Sequence, residues 1–565
     1  SGAGGRVAAL WFGPHLGESF QCWMEIDMGD GAFVKLPADS NQALGIAQYA
    51  IDFLSGDASK RGAPDASVLK RTGLFHTDAV ICGLSALALR TVAPNVLRDE
   101  ALSYPVTGEA WSPEGSVQNG ATAFGSRTLV HPEKAIVANS SAVREWDSNG
   151  TNFGYDPGRG NTAGEFGHND FYPVCVAGAQ MAGRSGEDAL LAMVCLDEIR
   201  GRLAEVFSLK SYKIDHVVHG AIASAAVFGA LLGASAEQIE SAIGMAVAHY
   251  IPFRAIRAGK QLSDSKGASA AISTEAAVLS VKRSMRGFRG PRDIFRNPEA
   301  IFRLFEGPGQ MLEKVGAERA NTEQADASPF DLALARAGSD FAVMGMHFKL
   351  GLYEHQSAGA LQAVQDLLGA NPGLLEQGGG EAIKKISIVA YEPAFGIIGD
   401  PAKRDPRTRQ SADHSMCYIV ATLVRKALEK KSVGWKELML SPYDYDERSI
   451  FHTLTRSLMD KIEFAHGGPE YDEKYPDGIP TSVVITDASG ETHDSGLVMY
   501  PAGHARNTTA DLEDILEHKF ALLGSMASED HASIVSRFRS LGEASAEEVR
   551  GLHDFELSFR DDFRD

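Results

Sequence analysis

The sequence predicts a mainly α-helical fold: a large all-helical domain followed by a smaller α+β domain. Two observations carry this reading. From about Pro132 to Arg286 the chain shows helical periodicity built largely from Ala, Gly and Ser, residues small enough to let helices approach closely. After about Met346 the texture changes, and KKISIVAY (384–391) alternates like a half-buried strand. A chain of 565 residues also exceeds what one ordinary core organises, so more than one domain is expected.

The elements follow in order. Residues 1–65 mix Gly, aromatic and charged residues, end in the loop-like SGDASKRGAPDAS and carry no motif, so they read as an N-terminal extension without an assigned role. The helical domain is expected over 66–345. It opens with VLKRTGLFHTDAVICGLSALAL, apolar at spacings of three and four, within a helical stretch from Val68 to about Arg98. Residues 99–131, rich in Gly, Ser and Pro, read as loop with short extended pieces. Glu187–Phe207, His219–Gly233 and Gly267–Arg283 read as helices. Ser235 with Gln238 has capping-box spacing and starts another, running to about Tyr250. The α+β domain is expected over 346–506. There Thr481–Thr486 and Gly496–Tyr500 flank DASGETHDS as strand–turn–strand, and Ser415–Leu428 is helical. The acidic segment 507–565 is helical again.

Charge narrows the function classes. Net charge is −20, from 74 acids against 54 bases. A nucleic-acid partner is not expected, because phosphate contacts call for a basic surface. The same charge repels a polyanion at long range, so any carboxylate site has to be a local basic pocket. No apolar run approaches the roughly 20 residues that span a bilayer, so no membrane association is expected. The five cysteines (Cys22, Cys82, Cys175, Cys195, Cys417) are scattered and never form C-x-x-C. That pattern points to reduced thiols in an intracellular compartment and away from an iron–sulfur hydratase.

Three clusters can carry chemistry. Asp147, Asn149, Thr151 and His168 lie in a glycine-punctuated polar loop between helical runs, and an Asp with a His in one pocket can run acid/base chemistry. Taken alone this loop reads more readily as a solvated surface loop. His216 and His219 sit at i and i+3 in KIDHVVHGA. One histidine packing and one facing a cleft is the better reading there than a metal pair. Arg254, Arg257, Lys260 and Lys266 are the guanidinium and ammonium groups that a di- or tricarboxylate needs, with Lys266 directly before a helix start; a solvated basic turn is the equal alternative. A second basic run, Lys403, Arg404, Arg407 and Arg409, reads as solvated. P-loop, G-x-S-x-G, H-E-x-x-H and G-x-G-x-x-G signatures are absent from the sequence.

The order of several blocks says more than any one of them. VHPEKAIVANSSAVREWDSNGT is similar to a segment leading into D-F-N-D-T, and GEFGHND to E-W-G-H-P-S-D. KIDHVVHGAIASAA, SDSKGASAA, HFKLGLYEHQSAGA, ADHSMCYIVATL and YPAGHARN follow in the same order as a D-H-V block, a lysine block, F-P-A-x-x-H-S-Q, R-D-H-x-x-x-Y and Y-P-x-G-H-x-R. Over roughly residues 68–510 the chain resembles the 2-methylcitrate dehydratase family (MmgE/PrpD), which also includes cis-aconitate decarboxylase. The resemblance implies a helical domain joined to an α+β lid, paired as a homodimer, with the site between them and no metal or organic cofactor. It places Asp147, Thr151 and His168 at catalytic-loop positions, and His216, Lys266, His355, His504 and Arg506 at substrate-binding ones. Arg254 joins this second group as a carboxylate holder. The implied reaction is loss of water from a tricarboxylic hydroxy acid such as 2-methylcitrate. Decarboxylation of cis-aconitate, epimerisation of a polycarboxylate, or a scaffold that has lost catalysis are the alternatives. The implied compartment is the mitochondrial matrix in a eukaryote and the cytoplasm otherwise. The chain also departs from the pattern. Gly150 replaces the second acid of D-F-N-D-T, Asn169-Asp170 follow His168, Leu350-Gly351 stand at the aromatic-proline step, and an insertion lies within FGYDPGRGNTAG.

Overall fold

The computed structural model describes residues 32–108, 111–257, 261–307, 309–312, 326–376 and 379–565. Cys22 and Lys260 lie outside these residues. Among the described residues the longer helices of the first part are α1 Gln42–Phe53, α2 Ala66–Ala88, α3 Val92–Leu102, α4 Pro132–Arg144, α5 Tyr172–Ala182, α6 Gly186–Val206, α7 Val217–Leu231, α8 Ala236–His249 and α9 Ser265–Ser284. The architecture is mainly α with a smaller α+β region.

Helix α7, VVHGAIASAAVFGAL, is buried along nearly its whole length and packs against α1, α5, α6, α8 and α9. Its small residues make that possible. A Cβ at Gly220 would lie 2.0 Å from the Phe171 ring, so only glycine permits this approach. The capping box expected at Ser235 is present, and a second joins Ser185 to Asp188 at the start of α6. The single helical stretch read over Val68–Arg98 is instead two helices, α2 and α3, meeting at 90°. Arg90 adopts a left-handed φ of 56° between them, which ends the first helix.

Residues to which the sequence assigned no element also join the core. Phe33–Leu36 pairs antiparallel with Leu332–Ala335, and α1 buries Ile46, Ala47 and Phe53. Gln42 Nε2 donates to the carbonyls of Leu36 (3.0 Å) and Phe330 (2.8 Å). The four-stranded sheet of the second part centres on Ile383–Ala390. This strand has Ile462–His466 parallel on one side and Thr481–Asp487 antiparallel on the other, with Thr492–Asp494 outermost. The hairpin is therefore tighter than expected. Gly490, at φ 94°, closes the turn within DASGE, so THD forms the return strand. Val498, in the segment expected to do so, makes only an isolated bridge to Thr481. Among the described residues no single helix is long and apolar enough to cross a membrane.

The C-terminal helices Leu512–Ala527 and His531–Arg539 pack on α2. Lys519 anchors the first of them. Its buried Nζ pairs with Asp78 Oδ1 at 2.6 Å and donates to the carbonyls of Ser148 (2.7 Å) and Lys349 (2.8 Å). Removing one partner of a buried pair leaves an uncompensated charge, which typically costs about 3–5 kcal/mol. Lys519→Met is expected to lower unfolding stability by that order in urea titrations. The double variant Lys519→Met with Asp78→Leu is expected to recover most of the loss.

Candidate active site

Helix α4 ends at Arg144, and the chain turns through Asp147 in the left-handed region (φ 51°), its N–H donating to the Arg144 carbonyl at 3.0 Å. That turn aims the Asp147 carboxylate into the protein, where it is fully buried. Arg144 and Lys349 both bind Oδ1, while His414 Nδ1 lies 3.3 Å and Lys266 Nζ 3.8 Å from Oδ2. Lys266, in the first turn of α9, also pairs with Asp413 at 2.7 Å, and Asp413 holds His414 Nδ1 at 2.7 Å. Burial alone would raise the Asp147 carboxyl. Arg144, Lys349, His414 and Lys266 together hold it well below the usual carboxylate range. Burial, then Lys266, drives His414 down to about 4, so its ring is neutral near pH 7.

After Asp147 the loop is tied down at each step. Ser148 Oγ donates to the Gly351 carbonyl at 2.7 Å, and Asn149 Nδ2 to Asn169 (2.9 Å) and Asp170 (2.6 Å). Thr151 and His168 then face each other in a short antiparallel pair, with Thr151 Oγ1 donating to the Gly167 carbonyl at 3.0 Å. His168 stacks edge-on to His216, ring centroids 5.3 Å apart, at the start of α7. Burial first, then Arg144 and Lys349, keep His168 deprotonated; burial does the same to His216. His168 Nδ1 and both nitrogens of His216 have no hydrogen-bond partner among the described residues. His219 instead packs into the core with Nε2 on the Phe207 carbonyl at 3.0 Å.

These side chains line one cavity, walled from the helical side by Arg144, Thr151, Phe153, Phe166, His168, His216, Arg254 and Arg257. From the α+β side come Glu354, Gln356, Ile397, Lys403 and His414. Arg257 is neutralised by Asp215, but Arg254 Nη1 is buried with no hydrogen-bond partner among the described residues. The basic pocket that the acidic chain requires is present.

Of the residues singled out in the sequence, Thr151, His168, His216 and Arg254 line this cavity, with Asp147 and Lys266 in the ionic cluster beneath it. Three lie elsewhere. His355 is fully buried and stacks on His347 (5.1 Å) and Phe153 (5.7 Å), while His504 and Arg506 line a separate cavity beyond Phe153. Of the second basic run, Arg407 is exposed as expected and the other three residues are not. Lys403 lines the first cavity, Arg404 donates to the Ile462 carbonyl at 2.6 Å, and Arg409 is buried against Glu145 and Asp565.

Sequence reading missed Arg144, Lys349, Glu354, Asp413 and His414. Lys349 and Glu354 stand in HFKLGLYEHQSAGA, and Asp413 and His414 in ADHSMCYIVATL, both already matched blocks. The signal was therefore present without the pairing that gives it meaning. Asp147, Asp413 and His414 offer donor atoms close enough together for a metal ion, but Arg144, Lys266 and Lys349 already fill the cationic role around the Asp147 carboxylate. The residues present fit an internal ion-pair network better than a metal centre.

Gly150 shows what the missing acid would have met. A Cβ there would lie 2.5 Å from the Phe75 ring, which stacks on Phe348 at 3.8 Å. The position faces this aromatic pair and not the cavity. The segment FGYDPGRGNTAG, within which the insertion lies, touches the cavity at Phe153 and then leaves it. Asp156 and Arg159 meet Arg202 of α6 and Asp340.

Two family models match the chain, the MmgE/PrpD N-terminal domain over residues 60–312 and the MmgE/PrpD C-terminal domain over 354–537. The protein belongs to the MmgE/PrpD family. It is 23% identical over 431 residues to a protein of Salmonella typhi named 2-methylcitrate dehydratase, covering 74% of this chain and 81% of that one. Proteins of the same name from Escherichia coli K12 (23% over 420 residues; 72% and 79% covered) and Cupriavidus necator (24% over 436 residues; 74% and 81%) are similarly related.

Two outcomes follow from this geometry. Gly150→Asp is expected to destabilise the fold by about 1–3 kcal/mol, as overpacking does, and to give no gain in activity; a thermal melt and an assay read both. The second outcome concerns pH. Burial lowers His76 and His504 to about 3, and His219, His414 and His553 to about 4, whereas an unfolded histidine titrates near 6.5. The folded state then binds fewer protons, and stability falls as pH drops from about 6.5 towards 4, by about 1.4 kcal/mol per pH unit for each such histidine. Glu145, Glu205 and Glu354, raised by burial to about 7, act in the opposite sense but are fewer. Urea titrations at pH 7 and 5 are expected to show lower stability and net proton uptake on unfolding at pH 5.

Proposed function

We propose that the protein is a lyase that removes water from a tricarboxylic hydroxy acid without a cofactor, with 2-methylcitrate the best-supported substrate. The observation that carries this is a cationic cavity inside a strongly acidic chain, whose buried Arg254 Nη1, His168 Nδ1 and His216 nitrogens stand without hydrogen-bond partners among the described residues. Unpaired buried donors and acceptors of this kind call for a ligand. The relatives' name agrees with the chemistry.

Arg254, His216 and Arg144 would hold carboxylates and spread the negative charge that develops when a proton leaves the carbon beside one of them. His168, kept neutral, would accept that proton; the C–H electron pair becomes the double bond as the C–O bond breaks. Glu354, raised to about 7 by burial, lines the same wall and carries a proton near neutrality for the departing hydroxide, which leaves as water. Asp147 and Lys266 would act as positioning residues, since their charges are committed to each other and to Arg144, Lys349 and Asp413. A lapsed scaffold would be expected to fill its cavity with the insertion, whereas only Phe153 of that segment reaches the wall.

The assembly we propose is a homodimer. Exposed Val92 and Val96 of α3, Tyr104 beyond it and Ile272 of α9 support an apolar contact face. Cys82, Cys175, Cys195 and Cys417 are buried and unpaired, which supports a reducing, intracellular compartment.

Purified protein given 2-methylcitrate is expected to develop alkene absorbance. His168→Ala is expected to lower kcat by about 10²–10⁴-fold, the usual worth of a general base, and Lys266→Ala by at least about 10²-fold. Undiminished turnover in both variants rejects the assignment. Release of carbon dioxide from cis-aconitate would move it to a decarboxylase.

A further inference from the structure

Phe153, at the start of the segment that carries the insertion, lines two cavities at once. One is the cavity described above, with about 60 Å³ of free volume. The other, which shares that residue, has about 160 Å³. Its walls include Tyr155 of the insertion, Met344, His347, His504 and Arg506. Phe153 sits in a cluster of rings, with His347 at 5.3 Å and His355 at 5.7 Å. The backbone beside it is closely packed: Gly154 lies at φ 50°, and a Cβ there would be 2.2 Å from the Ala204 carbonyl. Phe153 is the residue that both linings share.

The larger chamber has a defined polarity. His504 Nδ1 accepts from the Arg506 N–H at 3.1 Å and His347 Nδ1 from the Ala505 N–H at 2.9 Å. Each neutral ring then carries its proton on Nε2. His504 is 4% exposed, and its Nε2 has no hydrogen-bond partner among the described residues. Arg506 is ion-paired with Asp477 and lies over the Tyr155 ring at 5.2 Å, so its charge is already met. The acids Glu205 and Asp477 stand on the same walls, already paired with Arg202 and Arg506, so a free N–H beside them does not suit another carboxylate. It suits an uncharged chain bearing one hydrogen-bond acceptor.

We infer that this chamber is a substrate subsite, partitioned from the catalytic cavity by Phe153, for an uncharged substituent longer than methyl that carries a hydrogen-bond acceptor. The inference rests on the polycarboxylate reading above and narrows its substrate class. The insertion, which supplies Phe153 and Tyr155, would then be a specificity element.

The test compares 2-methylcitrate with a 2-alkylcitrate whose chain ends in a ketone, by calorimetric affinity and by kcat/KM. The wild-type protein is expected to favour the longer acid by about tenfold or more, the scale on which a pocket reads an added group. Met344→Trp, which fills the chamber, is expected to erase that preference, and His504→Leu to remove the share due to the ketone. Phe153→Ala, which opens the partition, is expected to increase the preference; thermal melts confirm that each variant is folded. Equal handling of the two acids by the wild-type protein, or equal losses for both in Met344→Trp, overturns the subsite. Turnover of 2-methylcitrate without preference for the longer acid removes the subsite alone. Failure to bind either acid removes the polycarboxylate reading and the subsite together.

Discussion

A single buried carboxylate organises the functional half of this molecule. Asp147 is fully buried, and such a charge is tolerated only when paired and hydrogen-bonded on every side. Its partners come from four places in the chain: Arg144 at the end of α4, Lys266 at the start of α9, Lys349 in the segment leading into the α+β part, and His414 beyond it. None of these segments can shift without exposing an uncompensated charge. The cavity wall is consequently a by-product of the ion-pair network under it. His168 and Glu354 stand on that wall, their protonation shifted first by burial and then by charges of the network, Arg144 and Lys349 on His168 and Lys349 on Glu354.

The same logic gathers basic side chains on one wall of an acidic protein, so that long-range field and local site have opposite signs. Arg144, Arg254, Arg257 and Lys403 line the cavity while the net charge of the chain is −20. The C-terminal helix adds a further constraint, since Lys519 ties the Ser148 and Lys349 carbonyls to Asp78 on α2. A segment remote in sequence thus braces the loop that carries Asp147.

Departures from the family pattern become legible once the packing is known. The acid replaced by Gly150 would have met the Phe75 ring, so its loss removes nothing from the cavity wall. The insertion touches the cavity only through Phe153 and is otherwise held on α6 by Arg202. Two changes that look damaging in the sequence therefore leave the cavity wall intact and alter what lies beside it.

The sequence by itself determined the helical core, because small-residue periodicity and capping boxes are local signals that survive in any context. It also determined the family, because the ordered blocks are read without knowing what they touch. It made Asp147, Thr151, His168, His216 and Lys266 visible for the same reason. Only the tertiary structure decided which groups share a site. Lys349, Glu354 and His414 stood in matched blocks yet gained a role only through contact with residues about 200 or more positions away. The tertiary structure also set His504 and Arg506 on a second cavity that shares Phe153 with the first. The burial of Arg409 follows the same rule, because the partner of one guanidinium is set by three-dimensional neighbours, which no window of sequence contains.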